Sequence, residues 1–460
     1  MDRNKKNSGN FFSHEDDYRG IAESLVRQAI KRGADEAETY LEWGRTSEIR
    51  VRMRETDAIK RSDYKGLGLR FFKNGRLGFV STNDFSDEAL NLLLNHAQSH
   101  AGICGEDRFL GLPDPVKIEE HDLNIFDDTC LSMSAEEKVR LALEMEEAAF
   151  TVDALISNSE GAVFQDACKG SVIVNSNGIS ESYAKTAYSM HCAPVVENND
   201  ERRYGYWYSS GTHFSALEDN ISIGKKAGER TVRMLGARKI GTQKVPVVFD
   251  SLAASGFIGT VMDCANGEAR YKKETCFWDK RDTQVASELV TIRDYGNLNG
   301  GVGSLPFDGE GIPPVKKTVI EQGRLTSFLY DSYAARKDET VSTGNGLRTY
   351  ATLPTIQGTN FFFENGRKTP QEVIKSVSKG LYVTGLIGFG VNIVNGDYSR
   401  GAEGLWIENG ELTHPVHEVT VSGNILDMLM GIEDAADDLR LLSTASAPTL
   451  LIREMVVGGL

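Results

Sequence analysis

KGLGLRFFKNGRLGFVSTND (Lys65–Asp84) decides the fold class. Two short runs rich in apolar and aromatic residues flank Asn74-Gly75, the pair a tight hairpin turn prefers because both positions accept positive φ. Strands joined this way are antiparallel, whereas neighbouring parallel strands need a crossover, usually a helix. Upstream, EAETYLEWG and SEIRVRMRE (residues 36–44 and 47–55) alternate with period two and read as half-buried strands. Downstream, Asn177-Gly178 within GSVIVNSNGISESYAKTAYSMHC marks a second hairpin.

Helical patterns lie between these strands. IAESLVRQAIKRGA places Ile21, Leu25, Ala29 and Ile30 on one stripe and stops at Gly33. SDEALNLLLNHAQSHA carries Ser86 as its cap and acidic residues in its first turn. A Pro-, Asp- and Gly-rich loop covers residues 101–118, and SAEEKVRLALEMEEAAFT follows as a further helix. SALEDNISIGKKAGERTVRML (residues 215–235) is another. The composition of residues 1–14 predicts a disordered tail and that of 15–240 an α+β domain with antiparallel strands and helices.

VPVVFD (Val245–Asp250) marks the change to a second domain, 241–460, that is Gly-rich and mostly β. A helix over SLAASGFIGTVMDCANG (Ser251–Gly267) is expected to end at its glycine, ahead of the polar EARYKKE. KTVIEQGRLTSFLYD, TNFFFENG, the long run from Gly380 to Asn424 and APTLLIREMVVGG all have strand composition. The two ENG triplets, at 364–366 and 408–410, predict hairpins and a strongly bent or barrel-like sheet. Helices at about 370–378 and 425–433 interrupt it.

The net charge of −15 argues against a protein held to nucleic acid by phosphate contacts. The basic run RVRMRETDAIKR (Arg50–Arg61) alternates Arg with Val, Met and Ile, as the wet face of a strand does. The first twenty residues hold no apolar core of signal-peptide length, and no window approaches a membrane span. Six scattered cysteines without a CxxC fit reduced thiols. Together these features lead us to expect a cytoplasmic protein.

Candidate chemistry is sparse. His96 and His100 form HxxxH on a helix, the geometry of a zinc-binding pair, but Ala97 stands where HExxH has its glutamate. His414 and His417 in HPVHE, three apart on an expected strand, point to opposite faces. Neither GLGLRFF nor GNLNGGVGS has the context of a phosphate loop, and no GxSxG elbow occurs. Two segments are more informative: LPFDGEGIPP, with Asp308, Gly309 and Glu310, and VNGDYSRGAEGLWIENGE, with Asp397, Tyr398, Ser399, Arg400 and Glu403. Each packs acidic groups, glycines and rings into what reads as a loop between strands. Such loops can offer backbone groups to an extended peptide. A tight turn, where Gly and Asp serve only geometry, has the same composition.

Taken together, AIKRGADEAE, KGLGLRFFKNGRLG, NSNG, GEARYKKE, GSLPFDGEG, GVNIVNGDYSRGAEGLWIENGE and PTLLIREMVVGG give the chain a resemblance. From about Ile21 to Gly459 it resembles the TldD/PmbA family of zinc-dependent peptidases (modulators of DNA gyrase), in its PmbA (TldE) branch. The resemblance implies an α+β N-terminal region, a mostly β C-terminal region and dimers around an enclosed cavity. It also implies an activity, proteolysis of unfolded peptides. The zinc site of the TldD branch, HExxxH plus a later cysteine, would fall on Val261, Met262 and Asn266 and near LLSTASAP, which has no cysteine. Valine and methionine are not zinc donors of the usual N, thiolate or carboxylate kind. Asp263 and Cys264 are potential ligands nearby. The implied protein carries no cofactor itself and pairs with a zinc-bearing TldD-type protease subunit, or with itself when isolated. The FDGEG and GDYSRG segments would then line the cavity, with Arg400 and Glu403 contacting peptide. The alternatives are a self-sufficient peptidase with a different catalytic site and a non-proteolytic peptide-binding dimer.

Overall fold

The computed structural model describes residues 11, 14–119, 122–198 and 201–459. Apart from Phe11 and His14, the expected tail therefore lies outside the described residues. Phe11 packs its ring against Trp43 and Phe126 and accepts the Trp43 indole N–H at its carbonyl.

In chain order the first half contains α1 (Glu15–Lys31), β1 (Glu36–Arg52), β2 (Glu55–Lys73), β3 (Arg76–Thr82) and α2 (Asp87–Ile103). There follow α3 (Thr129–Ser132), α4 (Ala135–Phe150), β4 (Ile156–Asn175), β5 (Ser180–Asn198), β6 (Glu201–Tyr204), β7 (Trp207–Gly211) and α5 (Asn220–Val232). The strands form one antiparallel sheet ordered β3-β2-β1-β4-β5-β6, with β7 on β5. Asn74 and Gly75 close the β2–β3 hairpin with φ of 50° and 67°, both in the left-handed region. The two predicted strands before it are one continuous β1. It is buried on both faces from Ala37 to Gly44, where a half-buried strand was expected. Its odd residues Ala37, Leu41 and Trp43 pack with α1 and α2. Its even residues Glu38, Tyr40 and Glu42 turn to the other side, against the second half of the chain.

Helix capping follows the sequence closely. Ser86, Ser134 and Asp219 each accept an N–H of the first turn with their side-chain oxygen. α1 buries Ala22, Leu25, Val26 and Ala29, while Ile30 of the predicted stripe is exposed. The helix expected over 215–235 is shorter. Phe214–Ala216 form a 3₁₀ turn, and Asp219 starts the helix proper.

The second half opens with β8 (Gln243–Phe249), α6 (Ser251–Cys264) and α7 (Gly267–Lys272). Its middle holds β9 (Ile292–Tyr295), β10 (Lys316–Glu321), β11 (Arg324–Leu325), α8 (Ser332–Lys337), β12 (Gly346–Leu347), β13 (Thr355–Ile356) and β14 (Phe361–Phe363). It ends with α9 (Pro370–Lys375), β15 (Lys379–Ile387), β16 (Val391–Asn392), β17 (Asp397–Glu408), β18 (Glu411–Asn424), α10 (Ile425–Met430), β19 (Ile432–Ala435), β20 (Ala445–Ser446) and β21 (Leu450–Gly458). The expected bent sheet is a closed barrel. β15-β8-β21-β18-β17 run in order, and β15 pairs back onto β17. Closure leaves the barrel no open edge of its own. A second sheet, β11-β10-β9-β14-β20, packs with the barrel around α6 in one apolar cluster that includes Phe249, Phe257, Phe361 and Tyr398. The fold is thus α+β: a curled antiparallel sheet with helices, followed by a closed five-stranded barrel.

Three details differ from the sequence reading. Glu408–Gly410 is a hairpin turn, with Asn409 and Gly410 at φ 51° and 80°, but Glu364–Gly366 is not. There Gly366 crosses tightly against Ala435, where a Cβ would meet the carbonyl oxygen at 1.8 Å. α6 ends at Cys264, and Gly267 starts a second helix rather than ending the first. Asn266 caps that helix, and Gly267 is small because the Tyr330 ring sits 2.2 Å from any Cβ placed there. VNGDYSRGAEGLWIENGE is not a loop, since residues 397–408 are the barrel strand β17.

Candidate functional site

Val261 and Met262, two of the positions at which the resemblance would place zinc ligands, lie in the last turn of α6, and the third, Asn266, caps α7. Val261 is fully buried in the apolar cluster. The Met262 thioether fills the space that a side chain at Gly358 would need, with its sulfur 2.3 Å from the ideal Cβ position. Asn266 uses its side-chain oxygen to accept the N–H groups of Glu268 (2.8 Å) and Ala269 (3.4 Å). This donor set does not fit zinc: one member has no donor, one is a packed thioether, and the third is spent on a cap. Cys264 points into the core towards the Cys276 thiol, with the sulfurs 3.9 Å apart, whereas Asp263 is exposed. Among the described residues, no group of three or more His, Cys, Asp or Glu is placed to hold a metal ion. His96 and His100 are exposed, with ring centroids 6.5 Å apart. His417 faces Arg203 at 3.2 Å, and His414 lies beside Trp406.

The FDGEG loop is built into the junction between the two halves. Asp308 accepts backbone N–H groups from Glu310 (2.8 Å), Ile312 (3.0 Å) and Gly346 (2.9 Å). Gly309 is held in turn, donating to the Gly346 carbonyl at 2.7 Å. A Cβ at Gly309 would meet that oxygen and the Arg348 side chain, each at 2.7 Å. Glu310 accepts the Ser332 N–H at 2.7 Å and reaches Arg70 at 3.5 Å. Arg70 clamps Glu38 with two bonds of 2.9 Å, and the buried Arg348 also donates to Glu38. Glu42 accepts Lys169 at 2.5 Å and the Tyr350 N–H at 2.9 Å. Charged groups that would be costly if buried alone thus partner one another across the junction, although Nε and Nη1 of Arg348 have no hydrogen-bond partner among the described residues.

The electrostatics of this cluster are uneven. Burial pushes the Glu38 carboxyl up, but the Arg348 and Arg70 charges outweigh it and hold it below the usual range. Asp308 is pushed up to about 8 by burial and then by the Glu310 charge. Asp331, the N-cap of α8, is pushed up to about 7 by the same two causes. Glu310, Asp331, Glu268 of α7 and Arg70 open onto one cleft of about 250 Å³. Sequence reasoning missed Asp331, Glu268 and the two arginines. For Asp331 the signal was there: DSYAARK begins with a capping residue and continues in helix formers, although the strand reading ran through it.

The residues singled out on GDYSRG lie elsewhere. Asp397, Ser399 and Arg400 are on β17, where Ser399 and Ser422 share a hydrogen bond of 3.0 Å. Tyr398 is buried and meets the Phe257 ring edge-on at 5.8 Å. Glu403 lies in a different cleft, with Arg203, Tyr204 and His417, and burial raises its carboxyl against the pull of Arg230, Arg203 and Arg233. The two acidic, glycine-rich segments therefore do not form one site.

Comparison with known proteins places this fold. Three family models match in succession: PmbA/TldA metallopeptidase domain 1 over residues 37–101, the central domain over 128–235 and the C-terminal domain over 242–459. Metalloprotease PmbA of Escherichia coli O157:H7 is 31% identical over 448 residues, covering 96% of this chain and 97% of that protein. A Haemophilus influenzae homologue of metalloprotease PmbA is 29% identical, with 97% of each chain covered. The chain belongs to the PmbA/TldD metallopeptidase family and is a PmbA-type member. Among solved structures, a Bacteroides thetaiotaomicron protein described as a candidate modulator of DNA gyrase matches with a TM-score of 0.89. It is 27% identical, and the match covers 97% of this chain and 99% of that one. TldE from Thermococcus kodakarensis shares the fold (TM-score 0.87, 22% identity, 95% and 100% covered). No helix among the described residues is long and apolar enough to cross a membrane.

Proposed function

We propose that the chain is the non-catalytic subunit of a TldD-type metallopeptidase complex that degrades or processes unfolded peptides. The observation that carries this reading is the trio Val261, Met262 and Asn266, buried in the core, packed on Gly358 and spent on a helix cap. In this reading zinc belongs to the partner, and this chain forms part of the wall around the substrate. It pairs with a TldD-type protease subunit, or with a second copy when isolated, in the cytoplasm. Arg400 and Glu403 are the side chains proposed to contact peptide, and Asp308, Gly309 and Glu310 shape the wall from within. The test is to purify the chain alone and with a co-expressed TldD-type subunit, then measure bound zinc and casein digestion. Digestion only by the pair, with zinc in the partner, is expected. Stoichiometric zinc in this chain alone, or casein cleavage by it that a chelator abolishes, would overturn the proposal.

A second reading, a self-sufficient peptidase, draws on the name metalloprotease PmbA carried by relatives matched over nearly their whole length. It predicts cleavage of a disordered substrate by this chain without a partner.

A further inference from the structure

The cleft beside Asp331 is lined by three carboxylates, Glu268, Glu310 and Asp331, and by one guanidinium, Arg70. Glu38, Asp308, Glu310 and Asp331 are all buried, against two buried guanidinium groups, Arg70 and Arg348. Both arginines donate to Glu38. Three backbone N–H groups hold Asp308, and Glu310 is divided between Ser332 and Arg70. Asp331 is the exception. It is only 8% exposed, and one carboxylate oxygen accepts the Ala334 N–H at 2.7 Å. The other oxygen has no hydrogen-bond donor among the described residues, and Asp331 lines the cleft. The next residue, Ser332, also has a buried hydroxyl without a partner.

The remaining wall is apolar or aromatic: Leu77, Leu110, Leu353, Pro354 and the Tyr333 ring. The Tyr333 hydroxyl is engaged by Asp107 at 2.8 Å, which fixes the ring. At about 250 Å³ the cleft is smaller than the ~300–1,000 Å³ typical of drug-sized ligands. An anion is disfavoured by the carboxylates. A metal ion lacks a ligand set, because no three candidate donors among the described residues are suitably placed. The open Asp331 oxygen, with Glu268 on the same cleft and leucines along its wall, fits a primary ammonium on a short aliphatic stem, which brings a strong charge-assisted donor and a stem for the leucines.

We propose that this cleft is a binding site for an alkylammonium group, with Asp331 as its counter-charge. The group can arrive as a lysine side chain of an extended peptide or as a free diamine. The site exists whether or not the chain serves a protease. Because Asp331 holds its proton to about pH 7, the ammonium competes with that proton. The charges that act on Asp331 in this competition are Glu310 from the loop, Glu268 from α7 and Arg70 from β2, with Tyr333 of α8 on the same cleft and Asp308 and Arg348 in the adjoining buried cluster. Binding therefore strengthens as pH rises through that range.

The test uses the full chain and calorimetric titration with cadaverine and with an end-capped Gly-Gly-Lys-Gly-Gly peptide, its norleucine analogue serving as control. We expect saturable binding at about pH 8 that weakens roughly tenfold at about pH 6, as a competing proton requires. Asp331→Asn keeps a good helix cap and removes the charge, so it should lose binding at least about tenfold. Leu353→Trp, at the rim, should block the cleft without touching the charges. Tighter binding of the lysine peptide identifies a side-chain ligand, and tighter binding of cadaverine a free amine; both support the site. It is overturned if neither probe saturates at about pH 8, if Asp331→Asn and Leu353→Trp both bind like the wild type, or if the norleucine peptide binds as well as the lysine peptide.

Discussion

LPFDGEGIPP and VNGDYSRGAEG have similar compositions and opposite fates. In the first, Asp308 and Glu310 are 1% and 2% exposed, and their carboxylates are engaged by backbone N–H groups and by Arg70 from β2. In the second, Asp397 and Ser399 are exposed on a barrel strand whose other face buries Tyr398. Glycine and acid next to each other in sequence thus say little about function. What matters is which partners the fold brings to them. The buried segment lies where the two halves meet, and Asp331 beside it lines a cleft with one carboxylate oxygen unpaired.

The sharpest way to break this contrast is to remove Glu38. Glu38→Ala leaves Arg70 and Arg348 buried without their shared partner, and should cost about 3–5 kcal/mol of stability in a denaturant titration. A loss below about 1 kcal/mol would mean that the junction is not held by these charges. Gly309→Ala should cost about 1–3 kcal/mol, because its methyl group meets Arg348 and the Gly346 carbonyl at 2.7 Å.

The pH dependence of stability is a finer probe. Asp331 binds its proton more tightly in the folded chain, at about 7, than the ordinary carboxylate value of about 3.9 expected on unfolding. Its contribution is fully present below the unfolded value and is lost as pH rises through about 7, and Asp308 acts in the same sense up to about 8. The melting temperature should therefore fall between about pH 5 and about pH 8, less steeply in Asp331→Asn. Equal slopes in the two proteins would count against a shifted Asp331. The smallest effect is expected on the exposed strand. Ser399→Ala should change stability by no more than about 0.5 kcal/mol in the same titration. A larger loss would mean that β17 is held by its surface as well as by its buried face.

Local chemistry explains which features could be read early. The hairpin at Asn74-Gly75, the caps at Ser86 and Ser134 and the turn at Asn409-Gly410 depend on neighbours a few residues away, so the sequence displays them. The first ENG triplet shows where such reading ends. Glu364–Gly366 has turn composition, yet its glycine answers to Ala435, some seventy residues on. Gly267 is similar: it looked like a helix stop and is a close approach to Tyr330. The candidate site was less legible still. Asp308 and Glu310 were singled out for peptide contact, but Glu38, Arg70, Asp331 and Arg348 come from four separate stretches and only meet in space.

By itself, then, the sequence determined the α+β class, the antiparallel hairpins, most helix starts and the resemblance to a peptidase family whose zinc positions are Val, Met and Asn here. Only the tertiary structure decided that the sheet of the second half closes into a barrel, that GDYSRG is one of its strands, and that Asp331 faces a cleft with one oxygen unpaired. The reason is physical. Turns and caps are set by dihedral preferences and hydrogen bonds within one turn of chain, whereas burial and charge balance are set by residues that folding brings from elsewhere.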